Sequence, residues 1–466
     1  MRRSIILSCL FAAMPIAVSA KIINVNPGTN TLQTAINVAE AGDTLILSSG
    51  VYDVSLPSIR PDDDYFVINK PITIRAKSAD ERPTLNVVRI TDANCSTEEG
   101  VQYSYLDGDI ITLQGIITNA DITINGCGMV ISDSILRGSV RSSATPAVII
   151  GNDIFLDSQE RIDANVVAYN HIRQSPGAVT GAQYIVGNDI NCFSVGSGIC
   201  VQSNYPSAQS LNEGFIVGNS FQVETARYES QTDGVGNNNF SIRYAINLNS
   251  AASTTVASNS IHFKVQDGDR PVENERVSAL VAVGMAHVGL NTTASIYNNT
   301  IVYDASLPAP LNDSDAGAIY TIIGDATVRN NIIFGAHIPA ISFNQDTAAQ
   351  GYENIVVATH NICFGNVENC SESESNINAN PQFDGDSFRV SETSPAKNGG
   401  YDALMLYDID KTLPDIGVYG GPYGFEQYTN IRESEELPYI VPLFNEIAEE
   451  TTDAVNVRVL AVPRLR

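Results

Sequence analysis

One short phrase recurs through the middle of the chain and restricts its fold more than any other feature. The phrase is Asn, any residue and then an apolar residue, and it opens a short alternating segment. Its copies begin at Asn152, Asn170, Asn188, Asn219, Asn259, Asn299, Asn331 and Asn361, with an earlier copy at Asp133. From that first copy onward the spacings are 19, 18, 18, 31, 40, 40, 32 and 30 residues. A spacing near 18 that later lengthens predicts a fixed coil with growing insertions.

The chemistry of the phrase suits a stack of strands. Asn tolerates the left-handed conformations that turn a chain between strands, and its side chain bonds neighbouring backbone groups. We expect successive Asn side chains to bond one another up the stack. Apolar residues alternate with period two, as in Tyr244, Ile246 and Leu248, which argues against helices. Because one coil cannot bury its own inner face, the pattern predicts an all-β parallel solenoid with layers about 4.8 Å apart.

The two ends of the chain differ from this repeat. Residues 1–20 combine Arg2 and Arg3, an apolar core and a small-residue site at Val18-Ser19-Ala20, which predicts a signal peptide. Residues 31–40 place Leu32, Ala35, Ile36 and Ala39 on one helical face, so we expect a short helix that caps the first coil and hides its strand edge. The predicted solenoid occupies 21–421, and 422–466 is predicted to form a C-terminal cap or accessory tail.

The charge and cysteine content constrain the compartment and the partners. With 26 Lys and Arg against 52 Asp and Glu, the formal charge is −26, which argues against nucleic acid or an anionic membrane surface as a partner. No apolar run after the signal is long enough to insert in a membrane.

Cys9 would leave with the signal. Six cysteines then remain, and their spacing favours disulfides Cys192–Cys200 and Cys363–Cys370, with Cys95–Cys127 as the remainder. Zinc binding is the alternative.

The entry and exit segments carry a family resemblance. T-L-Q-T-A-I-N-V-A-E-A-G-D-T-L-I-L-S-S-G-V-Y, N-P-Q-F at Asn380 and D-I-G-V-Y-G-G at Asp415 resemble secreted right-handed parallel β-helix proteins of the pectin-lyase-like superfamily. The entry also resembles that of alginate lyases and chondroitinase B. The resemblance implies a right-handed parallel β-helix with a short N-terminal capping helix, and one fold of this kind hosts many activities. The N-T-D, G-H-G and R-I-K phrases of polygalacturonases are absent, so no catalytic residue carries over.

Stacking the coils converts the repeat into columns of surface residues. We expect one column three positions after each Asn, comprising Phe155, Arg173, Asn191, Gln222, His262, Val302 and Phe334. A second column, five positions after, includes Asp157, Phe193, Glu224, Lys264 and Asp304. Long insertions at 225–249 and 264–295 leave the same central coils, and binding sites form where loops enlarge.

A sugar lyase needs a base beside the acidic C5 proton and positive charge beside the carboxylate. Arg173, Arg243, His262 and Lys264 supply those groups and are the predicted catalytic residues. A solvated ion-pair ladder of Lys264 with Glu224 and Asp304 is the structural alternative. Calcium is the cofactor predicted for the oxygen-rich clusters Asp62, Asp63, Asp64 and Asp313, Asp315, with hydrated loops as the alternative.

These observations leave two functions open. The first is an exported enzyme, a lyase or a glycoside hydrolase, that cleaves an extracellular polysaccharide along the side of the solenoid. The second is a non-catalytic surface or matrix protein that uses the same face for adhesion. Convergent Lys, Arg and His would favour elimination, paired acids would favour hydrolysis, and an exposed aromatic or Asn/Thr ladder would favour binding alone.

Overall fold

The computed structural model shows a chain wound into stacked coils of β-strands. It describes residues 20–55, 65–87, 89–92, 110–142, 147–157, 160–174, 179–194, 199–203, 214–225, 243–248, 253–265, 280–286, 293–305, 307, 317–335, 339–343, 355–365, 370, 373–451 and 454–466. The predicted calcium ligands lie outside these residues, namely Asp62, Asp63, Asp64, Asp313 and Asp315.

Successive coils contribute strands to three parallel sheets, named A, B and C in chain order. Sheet A has 13 strands: Ile22–Val25, Thr44–Leu47, Thr73–Ala76, Ile110–Gln114, Gly128–Ser132, Ala147–Ile150, Val166–Ala168, Tyr184–Val186, Gly214–Val217, Thr254–Ala257, Thr293–Tyr297, Asp325–Arg329 and Val356–Thr359. Sheet B has 13: Gly28–Thr29, Gly50–Asp53, Pro83–Asn86, Ile117–Thr118, Ile135–Leu136, Asp153–Leu156, His171–Gln174, Asp189–Ser194, Ser220–Thr225, Ser260–Val265, Thr300–Tyr303, Ile332–Phe334 and Ile362–Phe364. Sheet C has 11: Tyr65–Ile68, Arg89–Asp92, Asp121–Ile124, Val140–Ser142, Ile162–Asp163, Val179–Thr180, Ile199–Ser203, Arg243–Leu248, Leu280–Ala286, Ile319–Ile323 and Ile341–Phe343.

This order confirms the predicted all-β fold, a right-handed parallel β-helix. The inward residues form dry stacks: Ile154, Ile172 and Ile190 occupy equivalent positions in neighbouring coils and are all 0% exposed. Helix α1 (Thr31–Val38) follows the first strand of sheet B and buries Leu32 and Ile36 against the first coils, which confirms the predicted capping helix.

Disulfides Cys192–Cys200 and Cys363–Cys370 are formed as predicted. Cys127 is also disulfide-bonded, and its predicted partner Cys95 lies outside the described residues.

The recurrent asparagines form the predicted ladder at the corner between sheets A and B. Each Asn accepts, at its side-chain oxygen, the backbone N–H and the side-chain N–H of the Asn one coil earlier, at 2.9–3.1 Å. Each amide nitrogen also donates to a backbone carbonyl, as Asn170 does to Ile149 at 2.9 Å. The ladder runs from Asn152 to Asn361 and ends on Asn376. Its members from Asn152 to Asn361 are at most 1% exposed, so every amide group is buried with partners.

Two details of the repeat differ from the prediction. The left-handed residue is the one before the ladder Asn, as at Tyr169 (φ 55°) and Ser258 (φ 52°), rather than the Asn itself. Asp133 (φ 52°) therefore occupies the turn position, and Ser134 occupies the ladder position. The Ser134 hydroxyl accepts the N–H of Ile116 at 3.1 Å, and the Ser134 N–H donates to Asn152 at 2.9 Å. The first copy of the phrase was thus placed one residue too early.

The C-terminal segment returns along the outside of the coils. It contains single-turn 3₁₀ helices Gly385–Ser387 and Leu404–Leu406, helix α2 (Phe425–Glu433), and antiparallel strand pairs Phe383–Asp384 with Arg389–Val390 and Tyr439–Thr451 with Ala454–Val462. Tyr428, Tyr439 and Leu460 pack on the outer face of sheet A, against residues such as Ile150 and Val217.

Close contacts fix the path of this segment. A Cβ at Gly151 (φ 66°) would lie 2.1 Å from the Tyr439 ring, and one at Gly218 (φ 69°) would lie 2.2 Å from the Tyr428 ring. Tyr439 donates a hydrogen bond to Asp133 at 2.9 Å, which ties the tail to the turn of an early coil. Both turns therefore require glycine, because a Cβ would clash with the tyrosine ring and a side chain would strain the positive φ.

We predict that Asn188→Ala destabilises the protein strongly. The change leaves the Asn170 backbone N–H and the Asn219 side-chain oxygen with fewer partners in a dry interior. Each such loss costs about 1–3 kcal/mol, so the free energy of unfolding should fall by roughly 3–5 kcal/mol. Asn191→Ala, three residues further along the same strand on its outer side, is the matched control and should cost no more than about 1 kcal/mol. Equal losses in a urea titration of the two variants would contradict a structural role for the ladder.

The C-terminal segment should also give the protein a pH-dependent stability. Burial raises the pKa of the Asp408 carboxyl to about 6, helped by the Asp415 carboxylate and opposed by the N–H of Gly421. Because the native state then holds this proton more tightly than the unfolded chain, the group lowers the free energy of unfolding as pH rises from 4 to 6. Asp408→Asn should remove that decline. The Tm of Asp408→Asn minus that of the wild type should increase between pH 4 and pH 6 and then level off; a constant difference would contradict the assignment.

Candidate functional site

The outer face of sheet B carries the first predicted column in the expected register. Phe155, Arg173, Asn191, Gln222 and His262 lie opposite one another on consecutive strands. The column continues to Val302 and Phe334. Val302 was expected to face solvent but is only 6% exposed, so the solvent-facing part of the column ends before it. We give the name sheet B stripe to Phe155, Arg173, Asn191 and Gln222 of this column together with Arg137, which lies beside Phe155 one coil earlier.

An aromatic ring lies between two cations in this stripe. The guanidinium carbon of Arg137 lies 5.6 Å from the Phe155 ring centroid, and that of Arg173 lies 5.7 Å from the same centroid. Both arginines are exposed, and neither forms an ion pair with a described carboxylate. Cation–π contacts of this length hold the two guanidinium groups over the ring while leaving their N–H groups available. The stripe is therefore a local positive surface on a chain of charge −26.

A neighbouring column places a histidine next to an acid. Asp153, His171 and Asp189 occupy equivalent positions in three consecutive strands of sheet B. The His171 Nδ1 lies 3.4 Å from the Asp189 carboxylate. Burial acts to raise the pKa of Asp189, but the His171 imidazole and the Arg432 guanidinium outweigh it, so this pKa lies below its ordinary value. A carboxylate in this position orients an imidazole.

The other predicted catalytic residues have different surroundings. Lys264 forms an ion pair with Glu224 at 2.8 Å, which is the Glu224 half of the alternative ion-pair ladder, and donates to Gln222 at 3.1 Å. The His262 ring makes an edge contact with Phe388 of the C-terminal segment, with centroids 5.3 Å apart. Arg243 begins a strand of sheet C, where it pairs with Leu280, so it lies on a different sheet from Arg173.

Sequence reasoning missed two parts of this site for identifiable reasons. Arg137 stands three residues after Ser134, so it escaped the column because the first phrase was assigned to Asp133. His171 stands one residue after its ladder Asn, in a column of Asp153, His171, Asp189 and Ser220 that no repeated residue type marks. Aligning Asp153, His171 and Asp189 from the repeat would have shown the pair.

The described residues do not test the predicted calcium sites. Within the described residues, no three His, Cys, Asp or Glu side chains lie close enough together to hold a metal ion. The clusters predicted to bind calcium lie outside those residues, so calcium binding there stays a prediction.

The fold and this face define a parallel β-helix protein with a cationic and aromatic stripe on sheet B. No protein-family model and no curated protein matches the chain. A solved structure that does match is the crystal structure of pectate lyase Pel9A, with 12% identity and a TM-score of 0.35 over 86% of this chain and 97% of that chain. None of the helices in the described residues has the length and hydrophobicity needed to cross a membrane.

Proposed function

We propose that this protein is exported and binds an anionic extracellular polysaccharide along the sheet B stripe. The observation that carries the proposal is the Arg137–Phe155–Arg173 stack, in which two exposed cations, neither of them paired with a described acid, flank one aromatic ring. Export is supported by the predicted signal peptide and by disulfides Cys192–Cys200 and Cys363–Cys370, which persist in oxidising compartments.

The stripe offers the groups that an acidic sugar chain requires. A guanidinium recognises a carboxylate or sulfate through two parallel N–H donors. The Phe155 ring between the two guanidinium groups holds them at a fixed spacing along the stripe. The rungs of the sheet repeat every 4.8 Å or so, which lets Arg137 and Arg173, two rungs apart, contact acidic groups about 10 Å from each other on one polymer.

A second function, cleavage by β-elimination, is favoured by the His171–Asp189 pair beside the stripe. In that reaction His171 would accept the C5 proton of a uronate, a C4–C5 double bond would form as the C4–O bond breaks, and the displaced oxygen would take a proton from water. Arg173 would stabilise the negative charge that develops on the sugar carboxylate. The catalytic roles predicted for Arg243, His262 and Lys264 stay predictions. Without elimination, the same stripe would serve adhesion alone.

Binding should depend on the stripe arginines and not on positive charge in general. We expect Arg137→Ala with Arg173→Ala to weaken binding of polygalacturonate about a hundredfold, since each charge-assisted contact contributes about tenfold. Arg141→Ala is the matched control, because Arg141 is exposed in the same coil but lies on sheet C, opposite Asp163. Titration calorimetry should show the control within about twofold of wild type. An equal loss in both variants would refute recognition by the stripe.

Elimination is tested by the ultraviolet absorbance of unsaturated uronates over a panel of uronate-containing polymers. If His171 is the base, His171→Ala should abolish product formation while leaving polymer binding within about threefold. Asp189→Asn should lower the rate by a smaller factor. A polymer that binds tightly but yields no absorbance with wild-type protein would refute the catalytic form and leave the binding function standing.

A further inference from the structure

A second cluster of polar groups lies far from the sheet B stripe, near the C-terminal end of the coils. Arg329 and Thr359 are register partners at the ends of the last two strands of sheet A. Each is followed by a left-handed residue, Asn330 (φ 57°) and His360 (φ 56°), which turns the chain towards sheet B. Tyr401 of the C-terminal segment covers this corner.

Tyr401 holds the cluster together from outside. Its ring centroid lies 4.3 Å from the guanidinium carbon of Arg329 and 5.3 Å from the centroid of the His360 ring. Its backbone N–H donates to the side-chain oxygen of Asn330 at 2.8 Å. Arg329, Asn330 and His360 therefore lie together beneath Tyr401.

Four buried polar atoms in this corner have no hydrogen-bond partner among the residues that the structure describes. They are the Arg329 Nε, the Asn330 amide nitrogen, the Thr359 hydroxyl and the His360 Nδ1. Asn330 is 0% exposed. Within the described residues, no carboxylate forms an ion pair with Arg329. Burying a polar atom without a hydrogen-bond partner lowers the stability of a protein. Four such atoms on two adjacent rungs therefore indicate a partner that they share.

The chemistry of these atoms defines that partner. The Arg329 Nε and the Asn330 amide nitrogen can only donate, while the hydroxyl and the imidazole can donate or accept. The guanidinium adds a positive charge that no described acid neutralises. An anion with several acceptor oxygens would satisfy all four atoms and would also balance the charge of the guanidinium.

We propose that Arg329, Asn330, Thr359 and His360, covered by Tyr401, form an oxyanion-binding site for a carboxylate or sulfate group. The bound oxyanion would bridge the last two coils and fix the covering segment over them. Such a group could come from an acidic sugar or from a free inorganic anion. This proposal is independent of the sheet B stripe, because it uses different residues on a different sheet.

The test is calorimetric titration of the full chain with galacturonate, acetate and sulfate, against chloride at equal ionic strength. Arg329→Gln should weaken oxyanion binding at least about tenfold, and Thr359→Val, which keeps the shape of the strand residue, about fivefold. Arg75→Gln, a half-buried arginine on the outer side of sheet A in an early coil, is the matched control and should bind as wild type. Tm values without anion check that each variant folds.

The outcomes separate this site from the stripe. Saturable binding that survives in Arg137→Ala with Arg173→Ala and is lost in Arg329→Gln supports the proposal, and the preferred anion identifies the source. Tighter binding by galacturonate than by acetate indicates a sugar carboxylate, whereas binding by sulfate alone indicates a sulfate group. Absence of saturable binding by all three, or binding unchanged in Arg329→Gln, would overturn the proposal.

Discussion

Buried asparagine amides at the corner between sheets A and B hold neighbouring coils at one register. Each amide oxygen accepts two hydrogen bonds from the coil before it. Each amide nitrogen donates to a backbone carbonyl and to the amide oxygen of the next ladder residue. A strand that slipped by one residue would present an apolar side chain to these groups and would turn its inner residues to solvent. The outer columns of sheet B have the same register. The position of Arg137 over Phe155 therefore depends on the hydrogen bonds of the ladder at the corner before these strands.

The sequence was informative where contacts repeat from coil to coil. Spacing and composition were sufficient for the ladder, the inward stacks at Ile154 and Ile172, and the column that contains Arg173. The one-residue error at Asp133 arose because a serine there replaces the ladder asparagine, and a hydroxyl can accept the same N–H. A lone serine carries little pattern, and only the contact with Asn152 identifies its role.

Contacts between distant parts of the chain could not be derived from the repeat. Tyr428 and Tyr439 pack on sheet A far from their own place in the sequence. One signal was present: Ala147–Ile150 is an unbroken apolar strand, and all four residues are buried, as expected of a strand covered on both faces. An unbroken apolar strand indicates that another segment packs on its outer face, but it does not identify that segment.

The described cations differ in whether a carboxylate lies beside them. Lys264 and Lys397 each contact a carboxylate at 2.8 Å, so their charge stabilises local structure. Arg137, Arg173 and Arg329 instead lie against aromatic rings and form no ion pair with a described acid. On a chain with twice as many acids as bases, 52 against 26, cations that lack acidic partners mark surfaces suited to external anions.

Residue-resolved hydrogen exchange of the native protein tests most directly whether the ladder governs the stack. The backbone N–H groups of Asn170, Asn188 and Asn219 donate to side chains rather than to a strand, so ordinary sheet pairing does not protect them. If the ladder is continuous, they exchange only through global unfolding, as slowly as Ile172 and Ile190 at the centre of the strands. Exchange at the rate of exposed turns would show that the amides do not hold the coils together.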